Sequence, residues 1–200
     1  MNFKNKSIYN RRMVLKTLGL AVGASLLSKF SLASDSEQIN NKLKKVLTIA
    51  HITEVHMRPE HNAPNRFRKC IEKIKEHNID FILNGGDTIY AADYSHIKRK
   101  RVLEQLDIWN ELRNEIDEYE IFSCLGNHDM WWAAPNKLDK MYGKDYVVNQ
   151  LKIPNRYYSF GKEGWHFIVL DSNNNAGALD EKQRLWLEKD LEKLNREVMF

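Results

Sequence analysis

VLTIAHITEVH, residues 46–56, joins an apolar, β-branched run to a Glu-x-His pair. Val, Ile and Thr favour extended backbone, so the run reads as a strand that delivers ligand-type side chains at its end. The pattern recurs twice: FILN (81–84) leads into Gly85-Gly86-Asp87, and IFSCL (121–125) leads into Gly126-Asn127-His128-Asp129. Separate strands that each end in a polar cluster can bring carboxylate, imidazole and amide groups to one sheet edge. A rigid scaffold positions a metal site in this way.

Between these runs the spacing is helical. FRKCIEKIKEHN (67–78) sets Phe67, Cys70, Ile71 and Ile74 on one face, and residues 96–115 repeat the pattern with Val102, Leu106, Trp109 and Leu112. Pro59 to Pro64 read as a loop, and a further helix is expected over 138–151. RYYSF (156–160) and WHFIVLD (165–171) flank Gly161 to Gly164 as a hairpin, and a last helix follows over about 180–197. Strands alternating with helices indicate an α/β layer architecture.

Two hundred residues with 42% hydrophobic content suit one globular domain. The net charge of +4 is unevenly spread. Residues 1–33 hold Lys4, Lys6, Arg11, Arg12, Lys16 and Lys29 and no acid, which leaves residues 34–200 at −2. A nucleic-acid-binding domain keeps a basic face, so no nucleic-acid partner is expected. The basic start, the short apolar stretch TLGLAVGASLL (17–27) and the small-x-small site Ser31-Leu32-Ala33 read as a cleavable export signal. Arg11-Arg12 with Leu15-Lys16 following resemble the twin-arginine signal, with an ordinary secretory signal or an amphipathic or disordered N-terminus as the alternatives. The apolar stretch falls short of the roughly 20 residues a membrane span needs, and no cysteine near the cleavage site offers a lipid anchor. The expected organisation is a signal peptide (1–33), a linker (34–45) and a domain from residue 46 to 200. The export machinery is then a partner, and the location is periplasmic or otherwise exported. Cys70 and Cys124 read as core thiols, not as a disulfide pair.

The ordered set Glu54-x-His56, Gly86-Asp87 and Gly126-Asn127-His128-Asp129 resembles the calcineurin-like metallophosphoesterases. The likeness extends through Tyr157 to Phe160, His166 to Asp171 and Gln183 to Leu187, covering about residues 46–195. It implies a layered β-sandwich flanked by helices, and hydrolysis of phosphate mono- or diesters at a binuclear centre of two divalent ions: iron, manganese or zinc. Such a pair clamps a phosphoryl group and generates hydroxide near neutral pH.

The resemblance assigns the residues. Glu54 and His56 would hold the first ion, Asp87 would bridge both, and Asn127 would offer its carbonyl oxygen to the second. His128 would contact the phosphate and help the leaving group depart, with Asp129 orienting its imidazole. Trp131 and Trp132 either wall the substrate pocket or are buried against the loop. Glu54 stands where the family has Asp, and its extra methylene shifts the carboxylate by more than the roughly half an ångström a metal site tolerates. His51 reads as a sheet residue, His61, His77 and His96 as solvent-exposed, and His166 as structural.

The family places a Gly-His-x-His element further along, whereas residues 167–200 contain no histidine. The expectation is therefore the N-terminal part of the sandwich, with activity impaired by truncation. Two other classes stay open: a non-catalytic remnant that binds metal or a phosphorylated ligand, and an interaction or structural protein whose motifs are relics.

Overall fold

The computed structural model describes residues 47–174 and 177–197; the expected signal peptide (1–33) and linker (34–45) lie outside the described residues. Strands β1 (Ile49–Ile52), β2 (Phe81–Asn84) and β3 (Ile121–Ser123) form a parallel sheet in that order. Helix α1 (Ala63–Lys75) connects the first pair and α2 (Arg99–Asn114) the second. Ile49 pairs with Phe81, and Ile82 with Ile121. All three strands therefore run the same way, and their carboxyl ends lie on one edge.

Side chains alternate across β2, and each face has its own cover. Ile82 packs with Phe67 and Ile71 of α1 and with Trp109 and Leu112 of α2, all buried. Burying each such side chain is worth about 1.5–3 kcal/mol. Phe81, fully buried on the opposite face, meets Phe122, Phe160 and Phe167 edge-on. The last two belong to the antiparallel hairpin of β4 (Tyr158–Lys162) and β5 (Trp165–Val169). The layers are thus helices, parallel sheet and hairpin, the mixed α/β class expected from the sequence.

Two further helices complete the described part. Helix α3 (Lys144–Leu151) buries Val147 and Leu151 against Leu125, Met130 and Tyr158. Helix α4 (Glu181–Glu197) is tied back by Gln183, whose amide oxygen accepts from Asp171 N at 2.6 Å and whose Nε2 donates to Asp171 O at 2.8 Å. His166 is structural here: its Nε2 lies 2.6 Å from Asp190 Oδ2 on α4, and Ser159 Oγ donates to the other oxygen of that carboxylate. Among the described residues no helix is long and apolar enough to cross a membrane.

Two expectations need correction. Cys70 is an exposed free thiol, because Phe67 and Ile71 fill the inward face of α1 and leave it at the border; Cys124 is free and half-buried. Helix α1 also begins at Ala63, inside the stretch expected to be a loop. Pro64 sits in its first turn, where a missing N–H costs nothing.

Candidate metal centre

The loops after the three parallel strands interlock at the carboxyl edge of the sheet. An extended strand through His56 would place Glu54 and His56 on one side by simple alternation, but β1 ends at Ile52. Its continuation pairs irregularly with the loop after β2: Glu54 N donates to Gly86 O, His56 N to Asp87 O and Met57 N to Thr88 O. Glu54, His56 and Asp87 all have positive φ, at 53°, 47° and 51°. Side chains resist this left-handed conformation by about 1–2 kcal/mol each.

The third loop is pressed against the second. A Cβ on Gly126 would sit 1.8 Å from Asp87 N and 2.1 Å from Asp87 Oδ1, so only glycine permits the approach. Asn127–Asp129 form a single 3-10 turn whose His128 N–H donates to Asp87 Oδ1 at 2.9 Å. Buried Asn84, at the end of β2, donates to Thr88 Oγ1 at 3.0 Å and accepts from Gly86 N, fixing the turn that presents Asp87.

These constraints converge on His56, Asp87 and His128. One donor atom from each lies within 4.8 Å of the other two. His56 Nε2 stands 3.4 Å from Glu54 Oε2 and 3.8 Å from Asp87 Oδ2. Both are too long for a good hydrogen bond, and this buried nitrogen has no hydrogen-bond partner at all. The spacing does suit an ion: ligands about 2.1 Å from a tetrahedral metal lie about 3.4 Å from one another. An orphaned imidazole nitrogen facing two carboxylates is a donor set that fits a divalent cation. Asn127, exposed at the head of its turn, is the neighbouring amide.

Asp129 does not orient the imidazole as the resemblance implies. Its carboxylate is buried and bound to backbone instead: Oδ1 accepts from Thr88 N at 2.8 Å and Ile89 N at 3.1 Å, and Oδ2 from Gly126 N at 2.9 Å. It therefore pins the second and third loops together. Burial pushes its pKa up to about 7, against the opposing pull of those N–H donors. Asp93 occupies the orienting position, with its Oδ1 2.8 Å from His128 Nδ1. Because a carboxylate only accepts, this contact places a proton on Nδ1 and leaves Nε2 as the nitrogen not engaged by Asp93. Asp93 was not among the candidates read from the sequence.

Trp131 does not wall a pocket. It is 3% exposed, packs with Ile89, Val102 and Met141, and donates its Nε1–H to Ile97 O at 3.0 Å. A buried indole with its one donor satisfied has nothing left to offer a ligand. Trp132 is 42% exposed, packs edge-on against Tyr142, and lines a separate cavity of about 740 Å³ with Lys144 and Asn173. His51 lies exposed in β1, and His61, His77 and His96 are exposed as well.

A layered α/β scaffold here gathers imidazoles and carboxylates at the carboxyl edge of its parallel strands, a group that could hold a metal ion. The family is more specific. The family model described as calcineurin-like phosphoesterase matches residues 47–197, and the chain belongs to that family. Its class is therefore that of phosphoesterase-type hydrolases, and the His/Asp group at the loop junction is a possible metal site.

Proposed function

We propose that the chain hydrolyses phosphate mono- or diesters at a binuclear centre held by Glu54, His56, Asp87 and Asn127, with iron, manganese or zinc as the metal. The observation that carries this reading is the buried, unpartnered His56 Nε2 between the carboxylates of Glu54 and Asp87. Ions bound there would supply Lewis acidity and lower the pKa of water toward neutrality. The chain's own residues do the rest. Asp87, 6% exposed and anchored by the His128 N–H, presents Oδ2 toward His56 while its other oxygen is held fixed. His128, steadied through Nδ1 by Asp93, would act as the imidazolium, passing its Nε2 proton to the departing ester oxygen and remaining neutral with its proton on Nδ1. Asp129 keeps the two loops in register.

The export reading stands beside this as a proposal: a signal peptide over residues 1–33 would place the enzyme in the periplasm or outside the cell. The deciding experiment uses the purified chain with added manganese, measuring bound metal together with turnover of p-nitrophenyl phosphate and bis-p-nitrophenyl phosphate. Turnover that vanishes with chelator and that His128→Asn removes supports the proposal. Failure of the unaltered chain to bind manganese, or turnover indifferent to chelator, overturns it.

A further inference from the structure

We propose that Arg58, held on the ring of Tyr90, forms an anion subsite at the mouth of the metal centre and selects phosphomonoesters over diesters; this rests on the phosphoesterase reading above. The Arg58 Cζ lies 3.8 Å from the Tyr90 ring centroid, and Tyr90 in turn meets the His56 imidazole edge-on at 5.9 Å. Arg58 shares with Glu54, His56 and His61 the wall of one cavity of about 790 Å³. The guanidinium is thus held on the Glu54 and His56 side of the site.

Its guanidinium makes no direct ion pair among the described residues, although Glu60, held below the usual carboxylate range mainly by the side-chain hydrogen bond from Arg101, also feels its charge. Arg68, Arg99, Arg101, Arg156 and Arg184 each hold a carboxylate. Glu60, the acid nearest Arg58 in sequence, is taken by Arg101. Among the described residues Arg58 makes no ion pair or hydrogen bond, although it is half-buried. A guanidinium held over an aromatic ring keeps N–H donors at its edge, free to engage a terminal oxygen of a phosphate. Stacking on Tyr90 also limits the entropy such a contact would otherwise cost.

The preference for a monoester follows from counting oxygens and charge. A phosphomonoester has three terminal oxygens and about two negative charges near neutral pH, whereas a diester has two such oxygens and one charge. If the ions engage two oxygens, only the monoester keeps a third for Arg58. The second ester substituent of a diester would also meet the guanidinium in place of an anionic oxygen.

The test uses two probes with a poor leaving group, methyl phosphate and dimethyl phosphate, titrated calorimetrically into the unaltered chain, Arg58→Ala and Arg58→Lys, with and without manganese. Phosphate or methanol release is checked over the titration. Manganese affinity is measured on the same samples. The expected result for Arg58→Ala is unchanged manganese binding, a loss of roughly 10- to 100-fold in affinity for methyl phosphate, and little change for dimethyl phosphate. Arg58→Lys, which keeps the charge without the fork, should recover part of the loss and also guards against misfolding of the alanine variant. Equal losses on both probes, or no loss on methyl phosphate, overturn the inference. If the unaltered chain binds no manganese, the phosphoesterase reading fails and the monoester preference with it. The Arg58 anion subsite is then judged on the metal-free chain, where a loss of methyl phosphate affinity in Arg58→Ala supports it and no loss overturns it.

Discussion

Replacing Gly126 with alanine should disable the metal centre without removing a single ligand. The added Cβ would lie 1.8 Å from Asp87 N, 2.1 Å from Asp87 Oδ1 and 2.5 Å from Asp87 Cα. All three are atoms of a buried, hydrogen-bonded loop, so no flexible side-chain tip is available to move aside. Restoring ordinary van der Waals contact requires the loops after β2 and β3 to part by roughly 1.5 Å, about three times the half ångström a metal site tolerates. Overpacking of this kind costs about 1–3 kcal/mol in stability. A reacting group displaced by about 1 Å loses about 100-fold in rate. The His128 N–H to Asp87 Oδ1 contact would break first, freeing the carboxylate from the orientation His56 requires. The expected outcome is manganese affinity reduced by at least about 10-fold, or 1.4 kcal/mol, in a chain whose circular dichroism remains that of the unaltered protein. Gly161→Ala, whose Cβ would meet nothing closer than 3.8 Å, serves as the control. Gly126→Ala binding manganese within about twofold of the unaltered chain would refute the reasoning, because it would mean that Asp87 is not part of the ion's environment.

Asp93→Asn should lower kcat by roughly 10- to 100-fold while leaving KM nearly unchanged, since Asp93 acts through His128; steady-state kinetics checks this. Asp171 is fully buried; burial alone would raise its pKa, but Lys144 and Arg156, each at 2.7 Å, hold it below the usual carboxylate range. Its contribution is therefore present above about pH 4 and lost as pH falls below that, so Asp171→Asn should cost about 3–5 kcal/mol near neutrality and progressively less in acid, read from urea unfolding at several pH values. Glu54 is exposed and left-handed, so Glu54→Gly should be more stable than Glu54→Ala by about 1 kcal/mol in metal-free thermal melts, while both lose manganese affinity; an alanine variant at least as stable as the glycine one would remove the strain from the account.

Much of the fold is legible in the sequence because local preference and tertiary need coincide. FILN is β2 residue for residue, since a short apolar run between Asp80 and Gly85 has no competing periodicity. Helix α2 falls within its expected span because Val102, Leu106, Trp109 and Leu112 repeat at helical spacing and are all buried. The failures have local causes. Residues 138–143 carry a helix-like pattern, yet Asp139 Oδ1 accepts from Met141 N and Asn136 Oδ1 from Leu138 N, turns that compete with helix initiation. Helix α3 accordingly starts only at Lys144. The first strand of the hairpin shifts by two residues, while the second begins at Trp165 as expected, because Glu163-Gly164, both at positive φ, make the turn in place of the whole Gly161 to Gly164 stretch. Asp93 was invisible for a different reason: its partner His128 lies 35 residues away, and no periodicity or motif in Tyr90 to Ser95 marks one acid as special.

The candidate site is where the chain departs most from what its residues locally prefer, and the departures share a direction. Two glycines at the junction are there for contact: Gly86, at φ 95°, and Gly126, whose backbones approach too closely for any Cβ. Glu54, His56 and Asp87 adopt the left-handed conformation without being glycine, although glycine would relieve strain at each. Strain at non-glycine positions persists where surrounding structure over-determines it. Here the inter-loop bonds from Glu54 N and His56 N do so. A stability argument alone predicts glycine at those three positions. What glycine lacks is a donor atom, and the donors these residues supply, His56 Nε2, Glu54 Oε2 and Asp87 Oδ2, face one another at 3.4 and 3.8 Å without satisfying one another. On the proposed metal-centre reading the strain and the unsatisfied nitrogen have a common physical explanation: the loops hold charged and polar groups in positions that a cation between them would make favourable.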